Sequence, residues 1–169
     1  MIFKAAGTIL QGRSEEALPL LCKGLDAYRA LYSEVYLSYF VSILGDAYTQ
    51  TGRFQDAHKA LDEGLAFAEK NDERFQEAEL HRLKGELHLA EANDHGAAEE
   101  YFRMAIETAR RQQAKSWELR ATMSLARLWQ RQGRRDEART ALTAVYGTFT
   151  EGFTTPDLVD AAAQLNSLA

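Results

Sequence analysis

Residues 44–61 read LGDAYTQTGRFQDAHKAL. Val41, Leu44, Gly45 and Tyr48 fall at i, i+3, i+4 and i+7, which is one face of a helix. Gly52 ends that run, and glycine is the residue best suited to the left-handed conformation that closes a helix. Phe54, Ala57 and Leu61 then resume an apolar face at helical spacing. Two amphipathic helices joined by a tight turn make a helical hairpin.

The same turn recurs along the chain, in LQGRSEEALPLL, TQTGRFQDAHKAL, ANDHGAAEEYF and RQGRRDEARTAL. The alanines within these stretches, Ala17, Ala57, Ala98 and Ala138, stand 40, 41 and 40 residues apart. The turn residues Gly12, Gly52, Asn93 and Gly133 keep the same spacing. A small residue at the alanine position lets two helices cross closely, where a larger one would push them apart. Ser14 and Asp94 are candidate caps or turn residues for the helices that follow them. The spacing predicts helices over 2–11, 14–31, 35–51, 54–70, 74–91, 95–112, 115–132, 135–149 and 156–168. In the last of these Thr155 is the expected cap, Pro156 the first helical residue and Asp157 part of the first turn. Leu158, Ala162 and Leu165 would cover the end of the last hairpin, with Tyr146, Phe149 and Phe153 packed beneath.

A lone hairpin cannot bury its apolar stripe, but stacked neighbours can, so a repeat of this kind predicts a quasi-one-dimensional solenoid. The expected fold is all-α, a right-handed superhelical stack of antiparallel hairpins with about nine helices, forming one domain over 1–169. Its units run approximately over 1–33, 34–73, 74–113 and 114–150, with a capping helix at 156–168. The third unit admits two registers. If Gly85 matches Gly45, then Lys84 and His88 occupy the places of a core leucine and a core aromatic; a shift by one residue puts Leu83 and Leu87 there instead. The first unit begins abruptly. By the period its first helix would start about five residues before Met1, so the chain reads as cut from something longer or as opening on an incomplete hairpin.

Composition agrees with a helical stack. The chain has 169 residues, 46% apolar and 27% charged, with two prolines and one cysteine. Few prolines leave long helices uninterrupted. Cys22 has no partner for an internal disulfide and sits in an apolar helical run, where a thiol behaves as a small hydrophobe. No run of apolar residues is long enough for a membrane span, and the amino-terminal stretch lacks the apolar core of a secretory signal; the expected location is cytoplasmic, with no membrane partner. The net charge of −5 is uneven: residues 1–102 carry 10 basic and 18 acidic side chains, residues 103–169 carry 10 and 7.

The pattern Leu44-Gly45-x-x-Tyr48-x-x-x-Gly52-x-Phe54-x-x-Ala57-x-x-x-Leu61 resembles the signature of the tetratricopeptide repeat family. That family repeats every ~34 residues, so a period of 40–41 implies longer helices here. Residues 73–90 and 114–165 also resemble the carboxy-terminal tetratricopeptide region of large bacterial regulators, in which a nucleotide cyclase or LuxR-type DNA-binding domain accompanies an ATPase module. The resemblance implies a regulatory module that binds a protein or a small inducer. None of the catalytic parts carries over, because the chain has no phosphate-binding GxxxxGK[ST] loop and no cyclase metal-binding pair.

Tetratricopeptide stacks resemble a superhelix whose first helices line a concave groove, and a polar stripe at helical spacing should face it. In unit two the stripe is Tyr39, Ser42, Asp46 and Gln50; in unit four it is Arg120, Met123, Arg127 and Arg131. In unit three it is Glu79, Arg82 and Glu86, or in the shifted register His81, Gly85 and His88. The alternative is an ordinary solvated helix face. His81 and His88 lie seven residues apart, ~10.5 Å along a helix, too far to share one metal ion; no metal and no cofactor is expected. The arginine run from Arg103 to Arg139 is interleaved with Glu107, Glu118, Asp136 and Glu137 and has no aromatic stacking platform, so nucleic acid is not an expected partner. With no nucleophile–base pair, metal cluster or phosphate loop, an enzyme is not expected. The preferred function is a protein-interaction scaffold that takes a protein or peptide in its groove, with a homodimer possible through the incomplete amino-terminal unit. The alternative is a small-molecule inducer sensor.

Overall fold

The computed structural model describes residues 2–30 and 36–169, and every regular element within them is helical. In chain order these are α1 (Ile2–Leu10), α2 (Ser14–Ala30), α3 (Leu37–Gln50), α4 (Phe54–Asn71), α5 (Glu77–Ala92), α6 (His95–Arg111), α7 (Lys115–Arg131), α8 (Arg135–Tyr146) and α9 (Pro156–Ser167). The all-α stack of hairpins expected from the repeat is therefore present. The expected helix ends at 31 and 35 lie outside the described residues. Two other bounds move. Residues Arg74–Gln76 form a 3₁₀ turn ahead of α5. α8 stops at Tyr146 rather than 149, where the Thr148 hydroxyl donates to the Val145 carbonyl at 2.8 Å and satisfies a terminal acceptor.

The repeated turns share one geometry. Gly12, Gly52, Asn93 and Gly133 all adopt left-handed backbone, with φ of 76°, 72°, 51° and 79°. The next amide reaches back into the finished helix, as in Arg53 to the Tyr48 carbonyl at 2.9 Å and Arg134 to the Trp129 carbonyl at 2.8 Å. Asp94 caps α6, its carboxylate accepting from the Ala97 amide at 3.1 Å. Ser14 begins α2 instead and donates to Gln50 at 2.5 Å, tying two neighbouring turns together.

Helices α1, α3, α5, α7 and α9 pack side by side in one row. Each of α2, α4, α6 and α8 packs against the odd-numbered helices flanking it, but their backbones do not approach one another. The even helices thus fan apart, which places the odd row on the inside of the curve. α9 packs on α7 and α8 and takes the next place in the inner row. Leu158 and Ala161 are its buried residues, with Leu165 half-buried, and Leu168 just past its end is buried as well. The buried alanine is Ala161 rather than Ala162, and Phe153 is half-exposed beside Tyr146.

Close approach within each hairpin settles the third unit's register. A Cβ on Gly45 would lie 2.5 Å from the Leu61 side chain, and one on Gly85 would lie 2.5 Å from the Phe102 ring. Ala126 holds the corresponding place in unit four and is fully buried. Gly85 is therefore the counterpart of Gly45, and the shifted register does not occur. Lys84 and His88 do stand where Leu44 and Tyr48 stand. Tyr101 of α6 makes this tolerable: its ring stacks on His88 at 5.2 Å with 17° between the planes, and on His81 at 6.3 Å. The Lys84 ammonium lies 5.3 Å from the centre of the Tyr101 ring and pairs with Asp62.

At Gly85→Ala the added methyl meets a buried ring, and overpacking costs about 1–3 kcal/mol against a helix-propensity gain of about 1 kcal/mol. Net destabilisation is expected in urea unfolding. At Gly7 no atom lies within 4 Å of an added Cβ, so Gly7→Ala should stabilise by up to about 1 kcal/mol.

His81 is 9% exposed and its Nδ1 has no partner among the described residues. Burial pushes its pKa down; Glu77 opposes this and Lys84 and Arg111 add to it. The folded chain then holds fewer protons than the unfolded one below the ordinary histidine value of about 6.5. Stability should fall as pH drops through that value toward the lower folded one. Unfolding midpoints at pH 7.5 and 5.5 are expected to converge in His81→Leu; an unchanged pH dependence would assign the effect elsewhere.

Candidate functional site: the inner helix row

In the settled register, positions 40 or 41 apart line up across the inner row. Tyr39, Glu79 and Arg120 share one level, as do Ser42, Arg82 and Met123, then Asp46, Glu86 and Arg127, then Gln50, Ala90 and Arg131. The unit-three stripe is thus Glu79, Arg82 and Glu86, the first of the two sets the sequence allows.

These side chains meet in one network. Glu79 accepts from Arg82 Nε and Nη2 at 2.8 and 2.9 Å, and Arg120 Nη2 lies 3.0 Å from the same carboxylate. Arg82 also donates to Glu86 at 3.2 Å. Ser124 of α7 donates to Glu86 at 2.6 Å and accepts from Arg127 at 3.0 Å. The Glu79 and Arg82 side chains are only 8% and 11% exposed, so this fork-like pairing within α5, which Arg120 joins from α7, is largely shielded from water. Burial pushes the Asp46 carboxyl up, with Arg82 pulling the other way, and Gln50 donates to it at 2.9 Å.

The structure places the expected groove residues in different settings. Arg82, Glu86 and Arg120 are engaged in the network, and Asp46 and Gln50 pair with each other. Ser42 is 3% exposed and its hydroxyl is spent on the Tyr39 carbonyl, so it offers nothing to a partner. Arg127 and Arg131 are the exposed cations of the row. Arg127 reaches Glu86 at 3.6 Å. Tyr39 is half-buried at the amino-terminal edge of the row.

Two residues were missed. Asp157 and Asp160 of α9 join Arg82, Arg120, Met123 and Arg127 around a cleft of about 160 Å³. Asp157 lies 3.9 Å from Arg120. The period held the signal: Asp157 and Asp160 follow Trp117 and Arg120 by 40 residues. Reading α9 only as a cap hid it.

Many of the other arginines in the basic run are paired with acids. Arg103 binds Glu99, Arg110 binds Glu118, and Arg134 binds both Glu99 and Glu137. Among the described residues no group of three or more potential metal ligands gathers, and no helix is long and apolar enough to cross a membrane.

The architecture has known counterparts. Two crystal structures of a kinesin light chain-like protein from Podosopora anserina with nearly identical tetratricopeptide-like repeats superpose with TM-scores of 0.67 and 0.66. They are 18% and 19% identical to this chain, over 97% of it and 81% of theirs. The protein thus has a tetratricopeptide-like repeat fold. No family model and no curated protein matches it.

Removing one partner of a shielded ion pair costs more than the pair contributes, because the other charge is stranded. Arg82→Ala should lower stability by about 3 kcal/mol. The double variant Glu79→Met, Arg82→Met should regain most of that loss in urea unfolding; a neutral Arg82→Ala would mean that the network carries no weight.

Proposed function

We propose that the chain is a non-catalytic protein-interaction module that holds a protein or peptide along its inner helix row. One observation carries this: the centre of the row is saturated by its own ion pairs, which leaves Arg127 and Arg131 exposed on one helix edge and Asp160 exposed beside them. A polar platform with solvent-exposed arginines at its margin suits an extended partner bearing acidic groups opposite them. The clefts along the row are open rather than enclosed, which favours a polymer over a buried small inducer. The likeness of residues 73–90 and 114–165 to bacterial regulators supports a place in a bacterial signalling system. Self-association through α1 is a further proposal, since Phe3 is 69% exposed there.

Peptides selected from a display library on the immobilised chain test the module directly. Arg127→Glu with Arg131→Glu should weaken the selected binders at least tenfold, whereas Arg139→Glu on α8 should not. Acidic binders indifferent to the inner-row reversal would contradict the assignment. A small mass retained in native mass spectrometry would favour the inducer sensor.

A further inference from the structure

A second surface opens at the amino-terminal edge of the inner row. Phe3, Tyr36, Tyr39, Phe75 and Trp117 surround a cleft of about 400 Å³, and Gln76 also lines it. Phe3, Tyr36 and Phe75 are 69%, 56% and 41% exposed, an unusual concentration of aromatic surface for one patch. Their rings hold one another edge to face: Tyr36 meets Phe75 at 5.9 Å, and Phe3 meets the buried Phe40 at 5.3 Å. Tyr36 heads α3 in left-handed backbone, φ 62°, which places its ring across from the 3₁₀ turn that carries Phe75 and Gln76. The cleft is thus assembled from α1, α3, the turn before α5, and α7.

Its polar groups are unspent. Gln76 is 2% exposed, and its Oε1 has no hydrogen-bond partner among the described residues. A buried amide left unpaired is costly, and native proteins rarely leave one so. The Tyr36 and Tyr39 hydroxyls and the Trp117 indole N–H also make no hydrogen bond among the described residues. Among the described residues no charged side chain lines the cleft, although the Arg120 guanidinium stacks on the Trp117 ring 5.2 Å from its centre. It therefore offers aromatic faces and three donors without partners among the described residues, and its described lining is uncharged.

The geometry points to an uncharged proline-rich segment of a partner protein, bound in polyproline II conformation, as the occupant. Proline lacks an N–H, so a proline-rich backbone presents carbonyls that need donors, while its rings lie flat on aromatic faces. A helical ligand consumes its own carbonyls and would leave the tyrosine and tryptophan donors unmet. This builds on the interaction-module proposal but uses a different face from the arginine margin.

The purified chain would be titrated by calorimetry with an end-capped, uncharged decapeptide alternating proline and leucine. A matched peptide with alanine for every proline serves as comparison. Saturable binding of the proline peptide is expected, at least tenfold tighter than the alanine peptide. Tyr36→Phe and Trp117→Phe keep a ring but delete a donor, and each should weaken binding about three- to tenfold with the helical circular dichroism unchanged. No saturable binding, equal affinity for the alanine peptide, or indifference to both ring-preserving variants would overturn the proposal. None of these outcomes bears on the display selection, so the cleft can fail while the arginine margin stands, or the reverse.

Discussion

The whole stack depends on how closely two helices of a hairpin can approach. At Gly45 and Gly85 there is no room for a Cβ, because Leu61 and Phe102 of the second helix fill the space. Gly64 repeats the constraint one step on, where a Cβ would lie 2.8 Å from Leu80 of the next hairpin. One small residue therefore sets the spacing inside the hairpin, and another sets the spacing between hairpins. Once both are fixed, the odd helices lie against one another and the even ones splay. The inner row, its ion pairs and its edge cleft all follow from that spacing.

Much of this is legible in the amino-acid order because it is written by small residues and turns. The left-handed positions at Gly12, Gly52, Asn93 and Gly133 mark the ends of helices, and the buried alanines mark the crossings. The third unit is ambiguous for a physical reason. Lys84 and His88 are polar at core positions, and their tolerance depends on Tyr101, a residue in another helix that no local pattern connects to them. The polar stripe was legible as a list of residues but not as a network. Spacing alone does not show that Glu79 is gripped by arginines from two helices, or that Ser42 turns inward. The aromatic cleft was invisible, since its walls come from four segments spread over more than a hundred residues.

The saturated centre changes what the inner row can do. An unpaired row of alternating charges would bind oppositely patterned ligands along its whole length, at the cost of repulsion within each unit. Here the charges join neighbouring helices instead, so the same side chains that a sequence pattern offers as a binding stripe stiffen the α5–α7 seam. The exposed charges Arg127, Arg131 and Asp160 stand at the margins, which is where the proposed partner contacts would lie. Under that proposal stiffness and recognition fall to different residues of one face, which suits a scaffold that holds its shape before a partner arrives.

The register of the third hairpin underlies every one of these assignments, and nuclear Overhauser contacts in the intact chain read it directly. The Gly85 α protons should show strong contacts to the Phe102 ring, and the His88 ring protons should show contacts to Tyr101. Contacts from Glu86 or Lys84 α protons to Phe102, with His88 free of Tyr101, would place the hairpin in another register and dissolve the network built upon it.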